Sequence, residues 1–322
     1  MFQDVQSFQL TIYLYGLCLA AGTALWLLAA LYLAKKKSVP YDAVLLTGVL
    51  AIPMGLLFAR ILYCLVSLGY YLDTIGQPVA MLYFWDGGFS MMGALLGISL
   101  SALLSAKVKK VRFGELMDVL AVPAGIFIAL ARLGEAYTIL GRGKTINTQW
   151  MMDSPFFSTR EAWGDYHAVF RYEAVAAVLL VLVMLCLFFG RRARATAKPG
   201  DLALVFGSLF GSAQVVLESL RDDGHMLWGF VRASQIISIL LPAAAIAVFS
   251  VRLIKRHGFH WKYLAAWLTA AAAIGLGVIK EFDIDTSNNL TREYALMSLA
   301  MAVLAAVALL LWRMAKNKRQ NP

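Results

Sequence analysis

The sequence predicts an all-α, polytopic integral membrane protein of about nine transmembrane helices. Of the 322 residues, 61% are hydrophobic and only 15% are charged. Apolar runs repeatedly reach the ~20 residues that cross a bilayer. Clusters of Lys and Arg recur on every second connection between those runs, which is the pattern the positive-inside rule requires.

Spans are expected near residues 9–34, 43–69, 85–106, 115–140, 171–190, 201–220, 232–252, 262–280 and 294–313. The first follows MFQDVQSFQL, which lacks the basic region and small-residue cleavage site of a signal peptide, so it is expected to stay in the protein. It ends at Lys35, Lys36 and Lys37, and the second begins just beyond them. The third opens on WDGGFSMMGALLG, where Asp86, Gly87 and Gly88 stand at the threshold of an apolar run. Glycine there marks either a loose helix start or part of a site. Within the same run, Gly93 and Gly97 permit close helix packing.

Lys107, Lys109, Lys110 and Arg112 precede the fourth span, and Arg191, Arg192, Arg194 and Lys198 separate the fifth from the sixth. Arg252, Lys255, Arg256 and Lys262 lie between the seventh and eighth, and Arg313, Lys316, Lys318 and Arg319 close the ninth. These five segments place the N-terminus outside and the C-terminus in the cytoplasm. On the outer side the loop 141–170 carries Trp150 and Trp163, which suits a structure at the headgroup level.

The net charge of +10 does not point to nucleic acid, because no basic stripe lies on a folded soluble face. Cys18, Cys64 and Cys186 sit inside apolar runs without metal-ligand spacing, so neither a metal site nor a disulfide framework is expected, and no cofactor is implied.

Charge inside a span is costly and marks a candidate site. Arg60 sits in GLLFARILY, Arg132 and Glu135 in ALARLGEAY, Arg171 and Glu173 in FRYEAV, and Glu218 and Arg221 in QVVLESLR. Under the assigned topology all lie toward the outer half of their helices. Arg132 and Glu135 are three apart, as are Glu218 and Arg221, so each pair shares a helix face, with Gln214 one turn before Glu218. Interhelical salt bridges or snorkelling side chains are the structural alternative. A guanidinium fork matches a phosphate, which makes a phospholipid headgroup the natural ligand of such a cluster.

Several of these residues stand in motifs that resemble those of bacterial prolipoprotein diacylglyceryl transferases. YGL at Tyr15 to Leu17 is similar to the family's first-helix motif, and ARILY around Arg60 to its second-helix arginine. WDGGFSMMGALLG resembles W-x-G-G-hydrophobic-S-x-H-G-G-L-L-G, with Met92 where the family has His and Ala94 in place of its second glycine. The run from Asp118 to Tyr137 is similar to a D-x4-P segment ending in G-R-x-G-N-F, with Glu135 at the Asn, and Gly141 falls near the glycine that follows. HAVFRYEA resembles H-P-S-Q-L-Y-E-A, QVVLESLR resembles R-F-x-x-E-x-x-R with Gln214 at the first Arg, and SQIIS resembles G-Q-x-x-S.

The resemblance covers about residues 10–250. It implies a core of seven helices over 1–250, with 251–322 adding two helices and a basic cytoplasmic tail. It also implies transfer of a diacylglyceryl group from phosphatidylglycerol to the lipobox cysteine of a preprolipoprotein at the bacterial cytoplasmic membrane, with release of glycerol 1-phosphate. Carried over position by position, Arg132, Glu135, Glu218 and His167 are the catalytic candidates. Tyr15, Arg60, Gly87, Gly88, Met92, Gly93, Gly141, Glu173, Gln214 and Arg221 are the phospholipid-binding candidates. Three readings stay open: a divergent transferase using Glu135 or His167 for proton transfer, one with a changed thiol or lipid, and a non-catalytic protein that binds phospholipid or lipoprotein signal segments.

Overall fold

The computed structural model describes residues 2–138, 140–161, 163–190, 198–224, 226–228, 231–287 and 289–316. Among them are eight single helices long and apolar enough to cross a membrane and one bent pair, nine spans when the pair is taken as one. In chain order they are α1 (Phe2–Lys37), α2 (Tyr41–Val66), α3 (Met91–Val108), the pair α4 (Phe113–Ala121) and α5 (Ala124–Gly134), α6 (Val169–Phe189), α7 (Asp201–Ser219), α8 (Ala233–His257), α9 (Trp261–Thr286) and α10 (Leu290–Ala315). This is a polytopic helical membrane protein. Exposed apolar side chains such as Val49, Ile52 and Leu65 on α2 and Leu179 and Leu182 on α6 form the surface a bilayer covers.

Two expected spans are corrected. The third begins at Met91 rather than at residue 85, because Gly87 and Gly88 adopt φ of 75° and 73° and keep the chain out of a helix. Ser90 then caps α3, its hydroxyl accepting from the Gly93 N–H at 3.2 Å. The fourth span is broken, with α4 and the following helical segment inclined by 45°. Pro123 stands at the break; it lacks an N–H, and its ring crowds the carbonyl one turn back.

Inside lipid, helices associate by close packing rather than by escape from water. The α2–α3 pair shows this: a Cβ on Gly93 would overlap the Phe58 carbonyl, and one on Gly97 would overlap the Met54 carbonyl and stand 2.9 Å from Gly55 Cα. The expected packing role of both glycines is therefore met by bare backbone contact. Replacing Gly97 by Val is expected to part the two helices and cost about 1–3 kcal/mol. A thermal-unfolding midpoint in detergent equal to that of the wild type would contradict this.

The basic connections gather at one end of the bundle. Lys37 lies 3.7 Å from Asp118, whose carboxylate accepts from the backbone N–H groups of Gly200, Leu202 and Ala203 and so caps α7. Beside it, Asp201 binds Arg252 of α8 and accepts from the Trp312 indole of α10 at 3.2 Å. Arg191, Arg192, Arg194, Lys318 and Arg319 lie outside the described residues.

At the opposite end the aromatic loop folds into a sheet that the helical expectation did not include. Strands β1 (Arg142–Thr145), β2 (Ser158–Glu161) and β3 (Gly164–Ala168) pair antiparallel in the order β1-β3-β2. Ser158 faces His167 and Arg160 faces Asp165 in the β2–β3 register. Two-residue strands β4 (Leu227–Trp228) and β5 (Val231–Arg232) pair antiparallel just ahead of α8.

Candidate active site

The site is built where four helix ends and two loops meet. Arg132 occupies the last turn of α5, and Glu135 follows in a short 3-10 turn. Glu173 comes from the start of α6, Gln214 and Glu218 from the end of α7, and Arg221 from the exit of α7. All six are buried, at 6% exposure or less. The C-terminal ends of α5 and α7 favour the cations there, and the N-terminal ends of α6 and α8 favour anions.

Two guanidiniums organise the carboxylates. Arg132 reaches Glu135 at 2.5 Å, Glu173 at 3.2 Å and Glu218 at 3.9 Å. Arg221 reaches Glu173 at 3.2 Å and Glu135 at 3.5 Å. Gln214 donates through its amide to Glu173 at 2.7 Å and to Glu218 at 3.0 Å. The sequence expectation that these residues converge is met by direct contact. Where the resembled motif has Arg, Gln214 supplies donors but no charge.

Two members were missed. Asp223 accepts from Arg221 at 2.6 and 3.0 Å and from Arg232 at 2.9 Å, and it takes the Gly141 N–H at 3.0 Å. Arg232, at the head of α8, also donates to the Arg221 carbonyl at 2.7 Å. Both residues lie in the connection between α7 and α8, where a charge reads as a solvated loop residue. The available signal was the acidic pair Asp222–Asp223 following an arginine and an Arg just before SQIIS. Burial alone would raise the Asp223 carboxyl, but Arg221, Arg232 and the Gly141 N–H outweigh it and hold it well below the usual carboxylate range. Burial likewise disfavours charge on Arg221, and its carboxylate neighbours more than reverse this, raising it well above its ordinary value.

Gly141 is required by both backbone and space. Its φ is 72°, and a Cβ would overlap the Glu135 carboxylate and stand 2.8 Å from Phe170 Cβ. Its carbonyl accepts from the Phe170 N–H at 3.0 Å, and Asp222 N–H binds the Arg142 carbonyl at 2.8 Å, so the sheet is laced to the cluster. Tyr15 lies beside it, its ring 3.0 Å from where a Cβ on Gly134 would stand.

The remaining candidates fall elsewhere. Arg60 is buried but donates to the carbonyls of Ala80, Met81, Gly87 and Gly88, between the rings of Tyr63 and Tyr71. It fastens the loop ahead of α3, and no hydrogen bond or ion pair joins it to the cluster among the described residues. Gly87 and Gly88 serve that loop through their carbonyls, while Met92 and Gly93 lie in the packed seam of α3. His167 bonds through Nδ1 to the Tyr172 hydroxyl at 3.0 Å, and that hydroxyl donates to the Phe157 carbonyl. Burial lowers its pKa, so it is neutral near pH 7, in the sheet rather than among the carboxylates. Arg171 also turns away, to the carbonyls of Pro155 and Ser158. Among the described residues no three His, Cys, Asp or Glu gather as a metal site.

The family model described as prolipoprotein diacylglyceryl transferase matches residues 4–251, the stretch that builds this cluster. The chain belongs to the prolipoprotein diacylglyceryl transferase family. It is similar to proteins named phosphatidylglycerol–prolipoprotein diacylglyceryl transferase. The one from Listeria monocytogenes serotype 4a is 27% identical over 256 residues, covering 78% of this chain and 89% of the relative. Those from Bacillus licheniformis and Trichormus variabilis are each 28% identical, covering 76% of this chain and 90% and 87% of the relatives. Helices α9 and α10 lie beyond the transferase-family match, yet α10 packs along α7 and its Tyr294 hydroxyl donates to the Ser219 carbonyl at 3.2 Å, directly after Glu218.

Proposed function

We propose that this chain transfers the diacylglyceryl group of phosphatidylglycerol to the lipobox cysteine of preprolipoproteins. The observation that carries the reading is the buried pairing of Arg132 and Arg221 with Glu135, Glu173 and Glu218, within the stretch matched by the family model. In the reaction the cysteine sulfur forms a bond to the glyceryl carbon as that carbon's bond to phosphate oxygen breaks. The thiol proton passes to a base, and glycerol 1-phosphate leaves with the electron pair. Arg132 and Arg221 stabilise charge as it grows on the departing phosphate. Glu135 suits the base: its Oε2 is buried without a hydrogen-bond donor.

The same reading sets the frame. The core is residues 1–250, with 251–322 as an added helix pair, and the protein sits in the bacterial plasma membrane with its N-terminus outside. The ion cluster then lies toward the outer leaflet. Purified protein given phosphatidylglycerol and a lipobox peptide is expected to release glycerol phosphate; release no greater than with lipid alone would refute transfer. If phospholipid were retained without turnover, and cells depleted of their own transferase were not rescued, the non-catalytic binding role would stand instead.

A further inference from the structure

We propose that the apolar cavity beneath the ion cluster receives the end of one acyl chain of the donor lipid, and that Gly207 sets the chain length accepted there. The proposal rests on the donor-lipid reading for the headgroup alone.

The cavity measures about 170 Å³, and its wall includes Trp26, Phe127, Phe206, Gly207, Phe210 and Leu241. Its polar side chains are spent elsewhere: the Trp26 indole donates to the Leu120 carbonyl at 2.9 Å and the Ser99 hydroxyl to the Leu95 carbonyl at 2.8 Å. Phe206 and Phe210 stack nearly parallel, 5.7 Å apart, as one stiff side of it. An apolar space of about 150 Å³ takes a molecule the size of benzene, so this one takes the last several carbons of a chain and not its whole length.

A helix face shared with the ion cluster identifies the occupant. On α7, Ala203, Gly207, Phe210, Gln214 and Glu218 follow at intervals of four, three, four and four, and so share one face. The first three line the cavity, and the last two carry the polar cluster. From Glu218 to Gly207 the helix descends about 16 Å at ~1.5 Å per residue. That is roughly half of a ~30 Å hydrocarbon core, the depth of one acyl chain. A lipid with its phosphate at Arg132 and Arg221 therefore ends a chain here.

Gly207 governs the space. A Cβ there would meet only Leu241 Cβ, at 3.9 Å, so alanine fits without strain and a longer side chain projects into the cavity. The test uses the full chain in detergent, with dilauroyl, dimyristoyl, dipalmitoyl and distearoyl phosphatidylglycerol, and reads retained lipid by native mass spectrometry. Gly207→Leu is expected to weaken the longer lipids relative to dilauroyl by about tenfold, as roughly two buried methylenes would. Gly207→Ala shifts the order the same way by less, and Leu241→Ala shifts it toward longer chains, which keeps a readout should the leucine variant fail to fold. An unchanged chain-length order in Gly207→Ala and Leu241→Ala overturns the proposal. A matched phosphatidylcholine series separates the two readings: chain selection without headgroup preference refutes the donor assignment and leaves the acyl site standing.

Discussion

Replacing Arg132 by Ala is expected to abolish glycerol phosphate release, by at least about two orders of magnitude, the scale on which a lost oxyanion donor acts. The same substitution removes one of the two guanidiniums that hold the buried carboxylates of Glu135, Glu173 and Glu218, each within 3.9 Å of Arg132, and leaves them, among the described residues, only Arg221 and the Gln214 amide. Removing one partner from a buried ion pair costs up to about 3–5 kcal/mol, so the alanine variant is also expected to unfold at lower temperature. Arg132→Lys separates the two effects. It keeps the positive charge and the fold, but a single ammonium cannot bridge three carboxylates and a phosphate as a planar fork does. Turnover is expected to stay lost in a lysine variant whose unfolding midpoint is largely restored. Wild-type turnover in either variant would remove Arg132 from the site.

Gly141→Ala is the second large effect, and it tests the loop rather than the helices. Alanine at a φ of 72° is strained by about 1–2 kcal/mol, and its methyl group would stand on the Glu135 carboxylate and against Phe170. Because Glu135 also holds Arg132 and lies beside Arg221, displacing it disturbs both guanidiniums. Activity is expected to fall at least about tenfold, the equivalent of one misplaced charged hydrogen bond. Gly76→Ala is the control, since Gly76 has a φ of 65° with nothing near the position of its Cβ. Equal losses of activity in both variants would show that backbone strain alone is at work.

Much of the architecture is legible in the chain because a bilayer constrains it so strongly. A span must satisfy its own backbone, so length and hydropathy mark it, and the charges excluded from hydrocarbon mark its ends. Pro123 within the fourth run was a visible reason for a break, although the run still reads as one span. The aromatic loop is different. Its sheet spans short strands whose pairing depends on β3 lying between β1 and β2, and no long apolar period announces it.

For the site, the sequence by itself determined which helices bring charge into the membrane and which charged pairs share a face, because helical periodicity is local. Arg132 with Glu135, and Gln214 with Glu218, follow from that alone. Only the tertiary structure decided which charges meet. It added Asp223 and Arg232 from the connection after α7, and it spent Arg60 on the carbonyls of its own loop and His167 on Tyr172. The physical reason is that a buried charge takes whatever compensating group lies within about 4 Å, and that distance is set by how distant segments pack.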